Sequence, residues 1–273
     1  MSLALKGTLV LVGAGKMGGA MLEGWLKSGA DPQKIAVLDP FASDDMKALL
    51  ARHKVSLNPA IAGITNAEVV LIAVKPQMME EVLPTVVGLG ASKPLILSVA
   101  AGKTIASFER HFGKSAAIIR TIPNTPASIG RGITAMSANA NVSAAQLKLA
   151  TELLSAIGEV VTVDREELID SVTAVSGSGP AYVFYMTECL AAAAEKVGLP
   201  PVLAMQLARA TVAGSGELMR VTGTDAATLR QNVTSPKGTT HAALQVLMAE
   251  DGLQQLFEKA VKAAADRSRE LAS

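Results

Sequence analysis

The chain has 273 residues, long enough for one large domain or two ordinary ones, with 49% hydrophobic, 18% charged and 3% aromatic residues. A formal net charge of +1 provides no broad basic face for nucleic acid, and no apolar run is long enough for a transmembrane helix. The first residues lack a secretory pattern, so a soluble cytoplasmic protein is expected, with neither nucleic acid nor membrane as a partner. One cysteine, Cys189, lies in an apolar helical run and reads as a core residue.

In chain order, the predicted strands are Thr8–Val12, Ile35–Leu38, Val69–Val74, Leu95–Val99, Ala116–Thr121, Gly132–Ser137 and Val160–Val163. Most are continuous apolar runs, the pattern of strands covered on both faces. The predicted helices between them are Met17–Lys27, Asp44–His53, Met78–Val87, Ile105–His111 and Ala144–Ile157, the last with Ser143 as N-cap. This alternation predicts an α/β fold, a doubly wound parallel sheet of Rossmann type over residues 1–163.

From residue 164 to 273 no strand is predicted. Arg165–Val175, Pro180–Val197, Pro201–Thr222, Ala226–Val233, Thr239–Glu250 and Leu253–Leu271 read as an all-α bundle punctuated by Gly/Pro loops. Asp225 is a predicted N-cap. Small residues (Ala204, Ala208, Thr211, Gly214, Ser215, Gly216) permit close helix approach. Their apolar faces have two accounts: burial within the monomer, or a dimer of such bundles, which is preferred.

The segment Thr8–Ala20 carries the first chemistry. Gly13, Gly15 and Gly18 fit G-x-G-x-x-G between a strand and a helix. The glycines allow a tight turn, close approach to a pyrophosphate, and helix–strand packing, and the helix start favours an anion. Gly13, Ala14, Gly15, Lys16, Met17 and Gly18 are therefore candidate cofactor contacts. Asp39 ends the second strand, 21 residues after Gly18. A carboxylate there accepts from an adenosine ribose and repels a 2′-phosphate, which favours NADH and leaves NADPH open; a plain Asp-Pro turn is the other reading. Ligands bind beyond the carboxyl ends of such strands. That places Ala73, Val74, Lys75 and Pro76 after the third strand, and Val99, Ala100 and Ala101 after the fourth, near the cofactor. Lys75 reads equally as a solvated lysine. His53, His111 and His241 show no ligand spacing, and no metal is predicted.

These pieces, together with Arg120–Pro126, Ser176-Gly177-Ser178-Gly179-Pro180-Ala181-Tyr182 and Leu229–Thr240, resemble the pyrroline-5-carboxylate reductases over nearly the whole length. One departure stands out. Lys237 occupies a position where the family usually has glycine, one that can need an unusual backbone conformation. The resemblance implies hydride transfer from NADH or NADPH to the C=N carbon of 1-pyrroline-5-carboxylate, giving proline. It also implies that Gly238, Thr239 and Thr240 seat the substrate carboxylate at a helix start, with the Thr240 hydroxyl reaching the ring nitrogen as the catalytic contact. A simple helix cap accounts for the same two threonines. Asn232 falls at a cofactor contact. Glu166 falls at the substrate site, or else is only an acid in the first turn of its own helix.

The resemblance further implies a homodimer, with larger rings of dimers in the family, and a reaction site between the cofactor domain and the bundle. A β-hydroxyacid dehydrogenase-like oxidoreductase is the rival enzyme; its bundle lysine has no counterpart here beyond Lys196 at a helix end. A non-catalytic dinucleotide sensor is the other rival, disfavoured because the Gly238–Thr240 segment is intact.

Overall fold

A computed structural model describes residues 3–272. It divides into two compact units: one formed by the chain up to Gly177 together with the segment from Ala265 onward, the other Ser178–Ala264.

The first unit is built on an eight-stranded sheet: β1 (Thr8–Val12), β2 (Ile35–Leu38), β3 (Ser56–Leu57), β4 (Ala67–Ile72), β5 (Leu95–Ser98), β6 (Ala117–Ile122), β7 (Gly132–Ala138) and β8 (Gly158–Thr162). Their spatial order is β3-β2-β1-β4-β5-β6-β7-β8. The chain winds outward from β1 to β3, then returns to the other side of β1 with β4. That reversal creates the crevice in which doubly wound sheets bind ligands.

Helices α1 (Lys16–Lys27), α2 (Asp44–His53), α3 (Met79–Val86), α4 (Ile105–Phe112) and α5 (Ala144–Ser155) cover both faces. Strand alternation separates two cores. Leu9 and Leu11 of β1 join Met21, Leu22, Trp25 and Leu153 on one face. Val10 and Val12 join Met79, Leu83 and Phe108 on the other. Trp25 is buried, and its Nε1 donates to the Leu153 carbonyl at 2.8 Å. Ser143 and Gln146 form a reciprocal capping box at α5.

The sheet is parallel, as expected, except at one pair: β7 runs antiparallel to β6. Residues 123–131 join them, fewer than the dozen or so that a parallel crossover takes. The chain turns back instead, and a helix-bearing crossover then returns β8 parallel to β7. The two-residue edge strand β3 was missed because a pair of residues has no readable period. The expected helix from Arg165 is also shorter. α6 (Leu168–Val172) starts three residues later and widens into a π-helical turn, Thr173–Gly177.

The second unit holds α7 (Gly179–Lys196), α8 (Pro201–Thr222), α9 (Ala226–Asn232), α10 (Thr239–Leu247) and most of α11 (Leu253–Ala272). α7 packs along α8, and the buried residues of this pair are the alanines Ala191, Ala204 and Ala208. Asp225 caps α9, accepting from the Thr228 N–H at 2.9 Å and its hydroxyl at 2.6 Å; these bonds lower the carboxyl pKa. Cys189 is exposed, which overturns its reading as a core residue. Hydrophobic periodicity identifies an apolar face; what covers it lies outside the helix itself. One turn earlier, the Tyr185 hydroxyl has its pKa raised, first by its hydrogen bond with Cys189. No helix among the described residues is long and apolar enough to cross a membrane.

Candidate functional site

The turn between β1 and α1 is shaped by its glycines. Gly13 has φ +91°, and a Cβ there would lie 3.0 Å from the Ala73 carbonyl. A Cβ on Gly18 would overlap the Gly13 carbonyl oxygen. The first and third glycines are thus required by the protein's own packing. Gly15 differs, since a Cβ there would meet no atom within 4 Å. Its neighbourhood is open, as the passage of a pyrophosphate requires.

The N-terminus of α1 matches that role. No described side chain caps it, its first turn carries no acid, and Lys16 is its first residue. The orphan N–H groups and one cation suit an anion. Among the described residues, no group of three or more His, Cys, Asp or Glu side chains could hold a metal ion.

Asp39 is held against this turn. Its Oδ2 accepts from the Ala14 N–H at 2.7 Å and its Oδ1 from the Phe41 N–H at 2.8 Å. Asn58 clamps the same residue from behind: its Oδ1 accepts from the Asp39 N–H at 2.8 Å and its Nδ2 donates to the Asp39 carbonyl at 3.0 Å. An ionised carboxylate has about four acceptor positions, and these bonds use two. Asp39 therefore braces the turn and retains acceptors for a hydroxyl pair.

A cavity of about 640 Å³ opens at the reversal between β1 and β4. Gly13, Gly15, Asp39, Ala73, Val74 and Lys75 line it. A groove of about 1010 Å³ on the other side of the turn takes in Ala14, Gly15, Lys16 and Asp39. Phe41 lines both and is 80% exposed. Sequence reasoning passed over Phe41 and Asn58. The Asn58-Pro59 dipeptide was a turn signal that could have drawn attention to the latter.

Other candidates take separate places. Met17 and Gly18 lie in the first turn of α1, and Pro76 starts a short 3-10 turn after Lys75. Val99, Ala100 and Ala101 follow β5; Ala100 is buried and its N–H donates to Ser98 Oγ at 3.2 Å. Asn232 is the last residue of α9, in the second unit.

In the same unit, α10 begins at Thr239 with Gly238 as N-cap, and no described side chain caps this end. A Cβ on Gly238 would overlap Ser235 Oγ, so a larger residue there would have to turn that hydroxyl aside. Lys237 has φ +60°, the left-handed conformation that its departure from glycine foreshadowed. Thr240 is half-buried, and His241 is exposed.

Glu166 is not the first-turn acid of its own helix. It precedes α6, and its Oε1 accepts from the Ile105 N–H at 2.8 Å and from Arg120 Nη1 at 2.9 Å. It therefore serves the start of α4 rather than that of its own helix. Arg120 itself was noticed only as part of a motif. A lone cation within the apolar run Ala116–Ile122 was the available signal.

Comparisons with known proteins agree along the chain. A family model described as pyrroline-5-carboxylate reductase dimerisation matches residues 166–271, and one described as NADP oxidoreductase, coenzyme F420-dependent, matches residues 8–102. The pyrroline-5-carboxylate reductase of Pseudomonas aeruginosa is 38% identical over 97% of this chain and 96% of its own length. That of Synechocystis is 41% identical over 96% of this chain and 97% of its own. The structure of a pyrroline-5-carboxylate reductase from Coxiella burnetii matches with a TM-score of 0.92 at 35% identity, covering 98% of this chain and 100% of that one. A Plasmodium falciparum pyrroline carboxylate reductase with NADP bound matches with a TM-score of 0.81 at 26% identity, covering 98% and 99%.

Proposed function

This chain belongs to the pyrroline-5-carboxylate reductase family, and we infer that it is the NAD(P)-dependent oxidoreductase that reduces 1-pyrroline-5-carboxylate to L-proline, the last step of proline biosynthesis. The observation that carries this reading is the uncapped N-terminus of α10 behind Gly238, in a chain that also carries the glycine turn of β1–α1. One feature suits the carboxylate of a small cyclic imine and the other a dinucleotide pyrophosphate.

The cofactor supplies the hydride. Gly13, Ala14, Gly15, Lys16, Met17 and Gly18 present amides and one cation to its pyrophosphate, and Asp39 accepts from its ribose. Ala73, Val74, Lys75 and Pro76, with Val99, Ala100 and Ala101, form the rims beyond β4 and β5. Asn232 is assigned a cofactor contact.

Gly238, Thr239 and Thr240 hold the substrate carboxylate. The Thr240 hydroxyl oxygen accepts from the N–H of the protonated ring nitrogen and fixes the ring's orientation. Hydride adds to the C=N carbon as the C=N π pair becomes the nitrogen lone pair, and a protonated nitrogen makes that addition easy. Positioning therefore supplies much of the rate, and no strong acid is required.

The enzyme acts as a homo-oligomer, in keeping with its dimerisation segment. Assembly as a dimer or as a ring of dimers, a module boundary after residue 163, and a cytoplasmic location without nucleic-acid or membrane partners complete the reading.

NADH is the preferred donor, because Asp39 repels a 2′-phosphate and keeps free acceptor positions. Initial rates with 1-pyrroline-5-carboxylate and each cofactor test this. The expected kcat/KM is higher with NADH, and Asp39→Ser narrows the gap by about tenfold, the equivalent of roughly 1.4 kcal/mol. Activity confined to a panel of 3-hydroxy acids would overturn the reaction. A native preference for NADPH would leave Asp39 as a brace of the turn alone.

A further inference from the structure

Arg120 is the most deeply buried cation of the first unit, its side chain 2% exposed. It stands on β6 directly opposite Ser98, the last residue of β5. Thr121 Oγ1 adds a bond to the Ser98 carbonyl at 2.9 Å. Two carboxylates face the guanidinium: Glu166 Oε1 accepts from Nη1 at 2.9 Å, and Asp170 Oδ1 stands 3.8 Å from Nη2, an ion pair without a hydrogen bond. Asp170 in turn accepts from the Ser268 hydroxyl of α11 at 2.6 Å. A buried guanidinium must be compensated, so Arg120 fixes where Glu166 sits.

The same Glu166 oxygen accepts from the Ile105 N–H, at the first residue of α4. Thr104 caps that helix locally, its hydroxyl accepting from the Ser107 N–H at 3.3 Å. The start of α4 is therefore held twice, once by its own cap and once by an acid 61 residues away in sequence. What the remote hold secures is the far end of the connection 99–104, whose near end is secured by β5 beside Arg120. That connection contains Val99, Ala100 and Ala101.

We propose that Glu166 is a positioning residue for the cofactor: its carboxylate, seated by Arg120, pins the start of α4 and so holds the 99–104 connection in the shape that receives the nicotinamide end. This rests on the cofactor reading given above. It differs from a substrate contact because the Glu166 oxygen is already taken by Arg120 and the Ile105 amide.

The test separates cofactor affinity from substrate affinity. NADH dissociation constants come from nicotinamide fluorescence, and KM for the imine from assays at saturating NADH. Glu166→Gln keeps an acceptor for Ile105 and loses the ion pair; Glu166→Ala loses both. The expected weakening of NADH binding is about threefold for the first and at least roughly tenfold for the second, with the imine KM within about twofold of wild type. The Gln variant preserves shape and remains informative if the Ala variant fails to fold. NADH affinity unchanged in both variants would overturn the proposal, as would a rise confined to the imine KM. Native protein that binds NADH and does not reduce the imine would sink the proposed reaction and leave this measurement valid.

Discussion

The two units solve the burial of apolar residues in opposite ways. In the first, strands such as Leu9–Val12 are sealed on both faces, and the large side chains Trp25, Phe108 and Met79 are fully buried. In the second, the side chains buried on α7 and α8 are small alanines, while Phe184, Tyr185, Leu207, Leu218 and Val221 are exposed. A sheet with helices on both faces completes its own core. A set of helices that touch through alanines turns its large side chains outward, and such an apolar surface calls for a second protein surface. The family model described as pyrroline-5-carboxylate reductase dimerisation, which matches residues 166–271, supports a homo-oligomer.

The largest expected effect tests this contrast directly. Leu207 and Leu218 lie eleven positions apart, on one stripe of α8, and both are at least 46% exposed. Leu207→Asp with Leu218→Asp places two charges where a partner would seat. The double variant is expected to be monomeric by light scattering and to lose at least about 100-fold in turnover, because burying an unpaired charge costs several kcal/mol. An unchanged oligomer would place the partner surface elsewhere.

A division of labour follows from the same contrast. Thr240→Ala is expected to lower kcat about 100-fold through lost orientation of the ring, with NADH affinity within about twofold. Fluorescence titration alongside steady-state rates reads both. Weakened NADH binding with normal turnover would reverse the roles assigned to the two units.

The smallest effect sharpens the comparison at one residue. Lys237 holds φ +60° in the loop before α10, a conformation that costs a non-glycine residue about 1 kcal/mol. Lys237→Gly relieves that strain but frees the unfolded chain, leaving an expected gain of about 0.5 kcal/mol in a denaturant titration. A loss of stability would show that the lysine side chain contributes more than its backbone costs.

Much of this was legible in the residues. β1, β2, α2 and α8 match their predicted limits, since each is a clear apolar run or amphipathic stretch bounded by Gly, Pro or a capping residue. The glycine turn followed from local sterics, and the strained Lys237 from the family resemblance, which places glycine at that position. The exposure of Cys189, the return of β7, and the pairing of Glu166 with Arg120 were not read.

The sequence alone determined most of the elements and the turn that suits a pyrophosphate, because periodicity, capping and backbone sterics act within a few residues; the family resemblance pointed to the helix start that suits a carboxylate. Tertiary structure decided which charges meet. Arg120, Glu166, Asp170 and Ser268 come from β6, the turn before α6, α6 itself and α11. Only strand order and helix packing bring them together, and no local pattern encodes a contact made across so much intervening chain.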